Sequence, residues 1–234
     1  MHLLPAEAYY ERENLGQLQS IEREINRNGY SIQEFESILD FACGDGRLTR
    51  YLQALAPNAS IYGCDIDGRS IEQARLDIPT GIFATNGLRP PLDYPDEQFD
   101  FIFSYSVFTS LSETSQEQWL KELARVLRPG GVMLHTTHSY ENISRLSIFC
   151  PNLLDQFQLP EPVDEFIESN REYYYIPSGP DTPDYGLAII SDEYVATKWP
   201  EFTELQFIDH VVAAIESFPS GPQDFVILAK PKRA

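Results

Sequence analysis

Leu39-Asp40-Phe41-Ala42-Cys43-Gly44-Asp45-Gly46-Arg47 reads as a strand running into a glycine-rich turn that opens a helix. Gly44 and Gly46 permit a tight turn and close approach of a ligand to the backbone, and the helix that follows presents unpaired N–H groups there. Upstream, Ser37-Ile38-Leu39-Asp40-Phe41 is strand-like. Downstream, Leu48, Leu52 and Leu55 share one helical face before Pro57, and Ile61-Tyr62-Gly63-Cys64 is again strand-like. Asp65 ends that second strand, nineteen residues after Gly46, the position from which a carboxylate takes both hydroxyls of a ribose. A glycine-rich turn alone carries little weight. Inside a strand-helix-strand unit with an acid at this spacing, it reads as a nucleoside site.

The alternation continues outward. Ile82-Phe83-Ala84 and Phe99-Asp100-Phe101-Ile102-Phe103 are strand candidates. Trp119, Leu120, Leu123, Val126 and Leu127 mark a helix, with a capping box expected from Thr114 to Glu117 and a stop at Pro129-Gly130-Gly131. Val132-Met133-Leu134 follows as a strand. On the amino-terminal side, Leu15, Leu18, Ile21 and Ile25 predict an amphipathic helix over about residues 9–28, ending at Gly29. After residue 140 the pattern changes to a Pro-, Tyr- and acid-rich stretch, read as a lid. Ser191-Asp192-Glu193-Tyr194-Val195 then opens a short helix. Leu205 to Val212 and Phe225 to Leu228 are strands joined through Pro219 to Pro222, a link short enough to require antiparallel pairing. The expected fold is α/β: a Rossmann-like, doubly wound, mostly parallel sheet with an antiparallel C-terminal strand pair. One domain is expected over 1–234, with a leading helical segment (1–35), a nucleoside-binding core (36–139), a lid (140–190) and a C-terminal helix and strand pair (191–234).

With 36 acidic and 17 basic residues in 234, the formal net charge is −19. Such a chain repels phosphate backbones and has no run of Lys and Arg to offset this, so nucleic acid and anionic membranes are poor partners. No apolar run reaches the length of a membrane span and the first residues lack a signal-peptide pattern, so a cytoplasmic location is expected. Cys43, Cys64 and Cys150 are widely spaced and odd in number, which fits a reducing compartment. No acids are spaced with His or Cys as a ligand set, so no metal is expected.

A dinucleotide fingerprint needs a small third residue where the helix packs beside the pyrophosphate. Thr49 occupies that place here, and Asp45 would sit beside a diphosphate. A ligand without phosphate is favoured. S-adenosyl-L-methionine is one: its ribose suits Asp65, its adenine suits Ile66, and its ammonium and sulfonium suit Asp40 and Asp45.

With these pieces the chain resembles the class I S-adenosylmethionine-dependent methyltransferases. The resemblance rests on Leu39 to Arg47, on Gly63-Cys64-Asp65-Ile66-Asp67, on Asn86-Gly87-Leu88-Arg89-Pro90-Pro91-Leu92, on Phe99 to Ser104, and on Trp119 to Gly131 leading into Thr136-Thr137-His138. Ser106 to Leu111 and Gln223-Asp224 narrow it to a small-molecule subgroup. The resemblance implies that Asp40, the backbone of Ala42, Gly44 and Gly46 hold the methionine moiety. It further implies that Asp65 binds ribose, that Ile66 flanks adenine, that Asn86, Gly87 and Leu88 meet its other side or edge, and that Ser104 lies near the methionine end. Two positions depart from the pattern: Ala42 replaces the usual first glycine, and Ser110 stands where the subgroup has His.

His138 follows the fifth strand at the carboxyl edge of the sheet, where open α/β folds bind ligands. It is the candidate catalytic base or substrate contact, and the plainer reading is a histidine bonded within a loop. Tyr173-Tyr174-Tyr175 either lines an acceptor pocket or packs the lid. Cys43 lacks a partner and reads as a small packed residue, and His210 reads as packed. The implied activity is in-line methyl transfer to oxygen or nitrogen of a small molecule. The alternatives are a non-catalytic S-adenosylmethionine-binding protein, with Ser110 marking lost chemistry, or a nicotinamide oxidoreductase, against which Thr49 and the C-terminal strand pair count.

Overall fold

A computed structural model describes residues 6–149, 151–212 and 223–233. Cys150 and the expected link at Pro219 to Pro222 lie outside the described residues. Seven strands form one sheet: β1 (Ser37–Phe41), β2 (Ser60–Asp65), β3 (Ile82–Thr85), β4 (Phe99–Ser104), β5 (Leu127–Thr137), β8 (Gln206–Val211) and β9 (Asp224–Ala229). Their order is β3-β2-β1-β4-β5-β9-β8. The pairs from β3 to β5 are parallel, whereas β5 with β9 and β9 with β8 are antiparallel, as expected of the C-terminal strands. The chain builds outward from β1 through β2 to β3, then returns to place β4 on the other side of β1. That reversal makes the gap beyond the carboxyl ends of β1 and β4 the topological switch point, where such sheets bind ligands.

The central strands are buried on both faces, which is why they read as continuous apolar runs. Alternation along each strand sorts their side chains. Ile38, Phe101, Phe103, Val132 and Leu134 face a core completed by Leu18, Ile21 and Ile25 of α1 (Ala6–Arg27). Leu39, Phe41, Phe99, Ile102 and Met133 face a second core, made with Trp119, Leu120 and Leu123 of α4 (Glu113–Val126) and Trp199 of α8 (Asp192–Thr203). Leu15, placed by its spacing on the buried face of α1, is 40% exposed.

Two local expectations are corrected. Ser112, not Thr114, caps α4: it has extended backbone and its side chain accepts from Ser115 N, while Thr114 is already within the first turn. The stop is also earlier. Helical geometry ends at Val126, and Leu127 to Gly131 belong to β5, with a register irregularity against Phe99 to Phe101.

The stretch read as a lid contains α5 (Tyr140–Phe149), α6 (Pro151–Leu154), α7 (Val163–Ser169) and an antiparallel hairpin of β6 (Tyr173–Pro177) and β7 (Gly186–Ile190). That hairpin is stitched to the loop after β4. Gly186 N donates to Ser110 O (2.7 Å), Ala188 N to Thr109 O (2.8 Å), and Ser112 N to Asp184 O (3.2 Å). The remaining helices, α2 (Thr49–Leu55) and α3 (Gly68–Asp77), connect β1 to β2 and β2 to β3. Among the described residues no helix is long and apolar enough to cross a membrane.

Candidate cofactor site

A cleft of about 150 Å³ opens at the switch point, lined by Asp40, Ala42, Cys43, Gly44, Asp45, Arg47, Leu48 and Tyr105. Strand alternation selects its members. Asp40 shares a face with Ile38 on β1, and Tyr105, just past β4, continues the face of Phe101 and Phe103. The chain then turns under left-handed backbone at Ala42 (φ 61), Gly44 (φ 58) and Gly46 (φ 80). Only two of these are glycines; Ala42 bears the steric cost of that region.

The two glycines serve different ends. A Cβ on Gly44 would meet nothing within 4 Å, so its backbone faces open space. A Cβ on Gly46 would come within 2.5 Å of Ile78 Cδ1, so here the turn packs against α3 and its C-terminal neighbour. Asp65 holds the turn from the next strand. Its Oδ2 accepts from Gly44 N (2.9 Å) and its Oδ1 from Asp67 N (2.9 Å). Asp67 in turn caps α3 by accepting from Arg69 N.

Asp40 is 3% exposed and accepts from Thr49 Oγ1 at 2.6 Å. Burial raises its pKa to about 7, against the opposing pull of the Thr49 bond and the Arg47 charge. A cation arriving beside it favours its ionised form.

The residues fit the group that the sequence implies. Beyond Asp65, Ile66 is 57% exposed and Leu88 68% exposed, two apolar side chains left open where a flat ring needs walls. Asn86 N donates to Asp65 O (3.0 Å), which brings the loop after β3 against the end of β2. Asn86 Oδ1 is buried without a hydrogen-bond partner among the described residues, an acceptor available to a ligand amine. Gly87 lies between these two positions.

Ser104 and His138 do not line this cleft. Ser104 falls on the other sheet face, fully buried, with Oγ 2.8 Å from His135 Nδ1; Tyr105, one residue on, takes the place expected of it. His138 is 5% exposed, its Nδ1 3.3 Å from Asn142 Oδ1 and its ring 5.3 Å from that of Phe157. Burial lowers its pKa, against the Asp224 charge and the Asn142 bond. Tyr173 and Tyr175 pack on the α4 core and Tyr174 packs edge-on to Phe166 at 4.9 Å, so the tyrosine run packs the lid. Cys43 is buried, and burial with nearby carboxylates pushes its thiol well above the usual range. His210 is packed and also ion-paired, lying 3.4 Å from Asp192 and 3.8 Å from Asp224. Sequence reasoning missed Arg47 and Tyr105. Arg47 was within the quoted turn, but its meeting with Tyr105 depends on the face that β4 presents.

Residues 38–131 match the family model for a methyltransferase domain. The chain is 33% identical over 126 residues to a fatty-acid O-methyltransferase of Mycolicibacterium smegmatis, covering 48% of this chain and 44% of that protein. It is 30% identical to a ubiquinone/menaquinone biosynthesis C-methyltransferase of Hahella chejuensis, covering 47% and 45%. The chain thus spans less than half the length of these relatives. Its fold is shared with the magnesium protoporphyrin IX methyltransferase of Synechocystis PCC 6803, solved with bound SAH (TM-score 0.61, 12% identity, covering 98% of this chain and 90% of that one). The family match covers the part of the chain from β1 into β5, and the fold of the described residues is that of methyltransferases of known structure.

Proposed function

We propose that the protein transfers a methyl group from S-adenosylmethionine to oxygen or nitrogen of a small-molecule acceptor. The observation that carries this reading is the switch-point cleft, where buried Asp40 and the open backbone of Gly44 stand beside Asp65 and the exposed Ile66 and Leu88. When bound, the cofactor supplies an electrophilic methyl group on sulfur. Asp65 and the turn orient the nucleoside half; Asp40, Ala42 and Gly44 hold the amino-acid half, while Gly46, expected there, packs the turn against Ile78 and lies off the cleft. The lid hairpin, tied to the loop after β4, excludes water from the acceptor side, and most of the rate comes from alignment in that dry site. His138, kept neutral by burial, accepts the proton where the acceptor must lose one. A small-molecule acceptor also suits the surface charge and the names of the relatives, one acting on a fatty acid and one in quinone biosynthesis.

Radiolabelled methyl transfer from S-adenosylmethionine into a metabolite pool, with isolation of the labelled product, tests the activity. Calorimetric titration with S-adenosylhomocysteine tests the site: Asp65→Ala should weaken binding about tenfold or more, the usual cost of losing a charged hydrogen-bond partner. Unchanged affinity in that variant would remove the assignment.

A further inference from the structure

β9 runs antiparallel to β5 and pairs its first residue, Asp224, with Thr137, the last residue of β5. That register sets a fully buried carboxylate beside the segment that leaves the sheet through His138, Ser139 and Asn142. Asp224 Oδ2 accepts from Ser139 N (2.8 Å) and its Oδ1 from Asn142 Nδ2 (3.4 Å). Ser139 Oγ accepts from Asn142 N (3.1 Å), so the backbone and the side chain of Asn142 are both held. On its other side Asp224 meets His210 of β8, whose Nε2 is 3.8 Å away and whose Nδ1 is 3.4 Å from Asp192. Burial works against a charge on His210, yet the neighbouring aspartates raise its pKa above the ordinary value. A charged imidazole there offsets the cost of burying the Asp224 carboxylate.

A carboxylate only accepts hydrogen bonds, so Asn142 meets Asp224 with its NH2 group and turns its carbonyl oxygen to His138 Nδ1, 3.3 Å away. That carbonyl also only accepts, so Nδ1 carries the proton. In an imidazole kept neutral by burial, the lone pair is then on Nε2. Carboxylate, amide and imidazole are each at most 5% exposed, and such a linked set is costly to bury unless its members satisfy one another. Holding the start of α5 needs only the Ser139 bonds; the amide bridge to the imidazole is an addition that a helix start does not require.

We propose that Asn142 and Asp224 are positioning residues that hold His138 as its Nδ1–H tautomer, so that Nε2 receives the proton of the methyl acceptor. This rests on the methyl-transfer reading above. The acceptor's O–H or N–H bond breaks as its proton passes to Nε2, the freed electron pair forms the bond to the methyl carbon, and the carbon–sulfur bond breaks with its pair kept by sulfur. The imidazolium then gives its proton to solvent. A base poised in this way serves an acceptor that must lose a proton, so the substrate class is a hydroxyl or ammonium compound and not a carboxylate.

Long-range nitrogen–proton NMR correlations of the imidazole rings read the tautomer directly, and the His138 signals are those lost in His138→Gln. Native His138 should carry its proton on Nδ1 at neutral pH. Asn142→Leu should move it to Nε2 or to a mixture, while S-adenosylhomocysteine binds within about threefold of native affinity in calorimetry. The same variant should slow labelled methyl transfer from S-adenosylmethionine into a metabolite extract by about 10- to 100-fold, part of what a general base supplies. Native His138 protonated on Nε2 overturns the proposal, and so does a native tautomer or a native transfer rate in Asn142→Leu. A labelled methyl ester of a carboxylic acid as the product also overturns it, since that reaction releases no proton. Absence of any transfer by the native chain overturns the methyl-transfer reading itself, a result distinct from the others. Should the melting curve show that Asn142→Leu does not fold, Asp224→Asn decides. It keeps an acceptor for Ser139 N but can face Asn142 as a donor, so the tautomer becomes mixed and transfer slows, or the proposal is wrong.

Discussion

At the scale of single residues, the turn separates stability from binding. Gly46→Ala brings a Cβ to 2.5 Å from Ile78 Cδ1 in left-handed backbone, so it should cost about 2–4 kcal/mol in chemical denaturation, combining backbone strain with overpacking. Gly44→Ala meets no atom within 4 Å. It should cost only the backbone strain, about 1–2 kcal/mol, yet place a methyl in the cleft and weaken S-adenosylhomocysteine binding in calorimetry. Similar ligand affinity in Gly44→Ala and the native chain would contradict this. Asp40 shows the same tension through its charge. Its folded pKa is raised to about 7, so the stability it contributes is present below the unfolded value near 3.8 and lost as pH rises through 7. Asp40→Asn stays neutral at every pH. It should therefore exceed the native chain in unfolding free energy at pH 8 by about 1–4 kcal/mol, match it below pH 4, and bind the cationic cofactor more weakly. A native chain as stable as Asp40→Asn at pH 8 would refute the assignment of a costly buried carboxylate.

At the scale of elements, legibility followed local chemistry. β1, β2 and β4 were readable because strands buried on both faces are apolar runs bounded by turns, and Asp65 was readable because the distance from turn to second strand is set by one intervening helix. The lid hairpin was not. Tyr173 to Pro177 and Gly186 to Ile190 pair across a Pro- and Gly-containing connection, and their partners on the other side are backbone groups of Thr109 and Ser110, which leave no pattern in side-chain type. Ser104 was misplaced for a related reason: proximity to the end of β4 was legible, but the face it takes depends on which neighbour β4 packs against. The hairpin's attachment leads to a prediction of its own. Asp184 accepts from Ser112 Oγ (3.0 Å) and lies 3.3 Å from Arg89, an exposed pair worth little alone. Asp184→Ala should speed hydrogen exchange at the Gly186 and Ala188 amides about 3- to 10-fold, the effect of one lost net hydrogen bond, while amides of β4 exchange as before. Equal acceleration across β4 would mean that the hairpin and the sheet open as one unit.

For the whole molecule, two effects of acid oppose each other. A chain of net charge −19 repels itself at neutral pH, and acidification toward its isoelectric point near 4.4 relieves that repulsion. The buried histidines work in the other direction. Burial depresses the pKa of His135 to about 3 and lowers that of His138, so the stability they contribute is present above the unfolded value near 6.5 and lost as pH falls below it. Between pH 6.5 and 4, the loss at His135 is up to about 1.4 kcal/mol per pH unit and Asp40 returns a similar amount; the loss at His138 adds to the first and leaves the net change unfavourable. Salt separates the two effects, because at 1 M the screening length is about 3 Å and surface repulsion is largely removed, whereas protonation of a buried imidazole is hardly screened. In 1 M NaCl the unfolding free energy should therefore fall from pH 6.5 to pH 5, and at low salt it should fall less. Removing one of the two histidines should change this slope: His135→Gln, which can still meet Ser104 Oγ, is expected to lose most of the acid sensitivity at high salt, because the loss at His138 is then offset by Asp40. Equal pH dependence of His135→Gln and the native chain would mean that the acid limit of this fold lies in its carboxylates and not in His135.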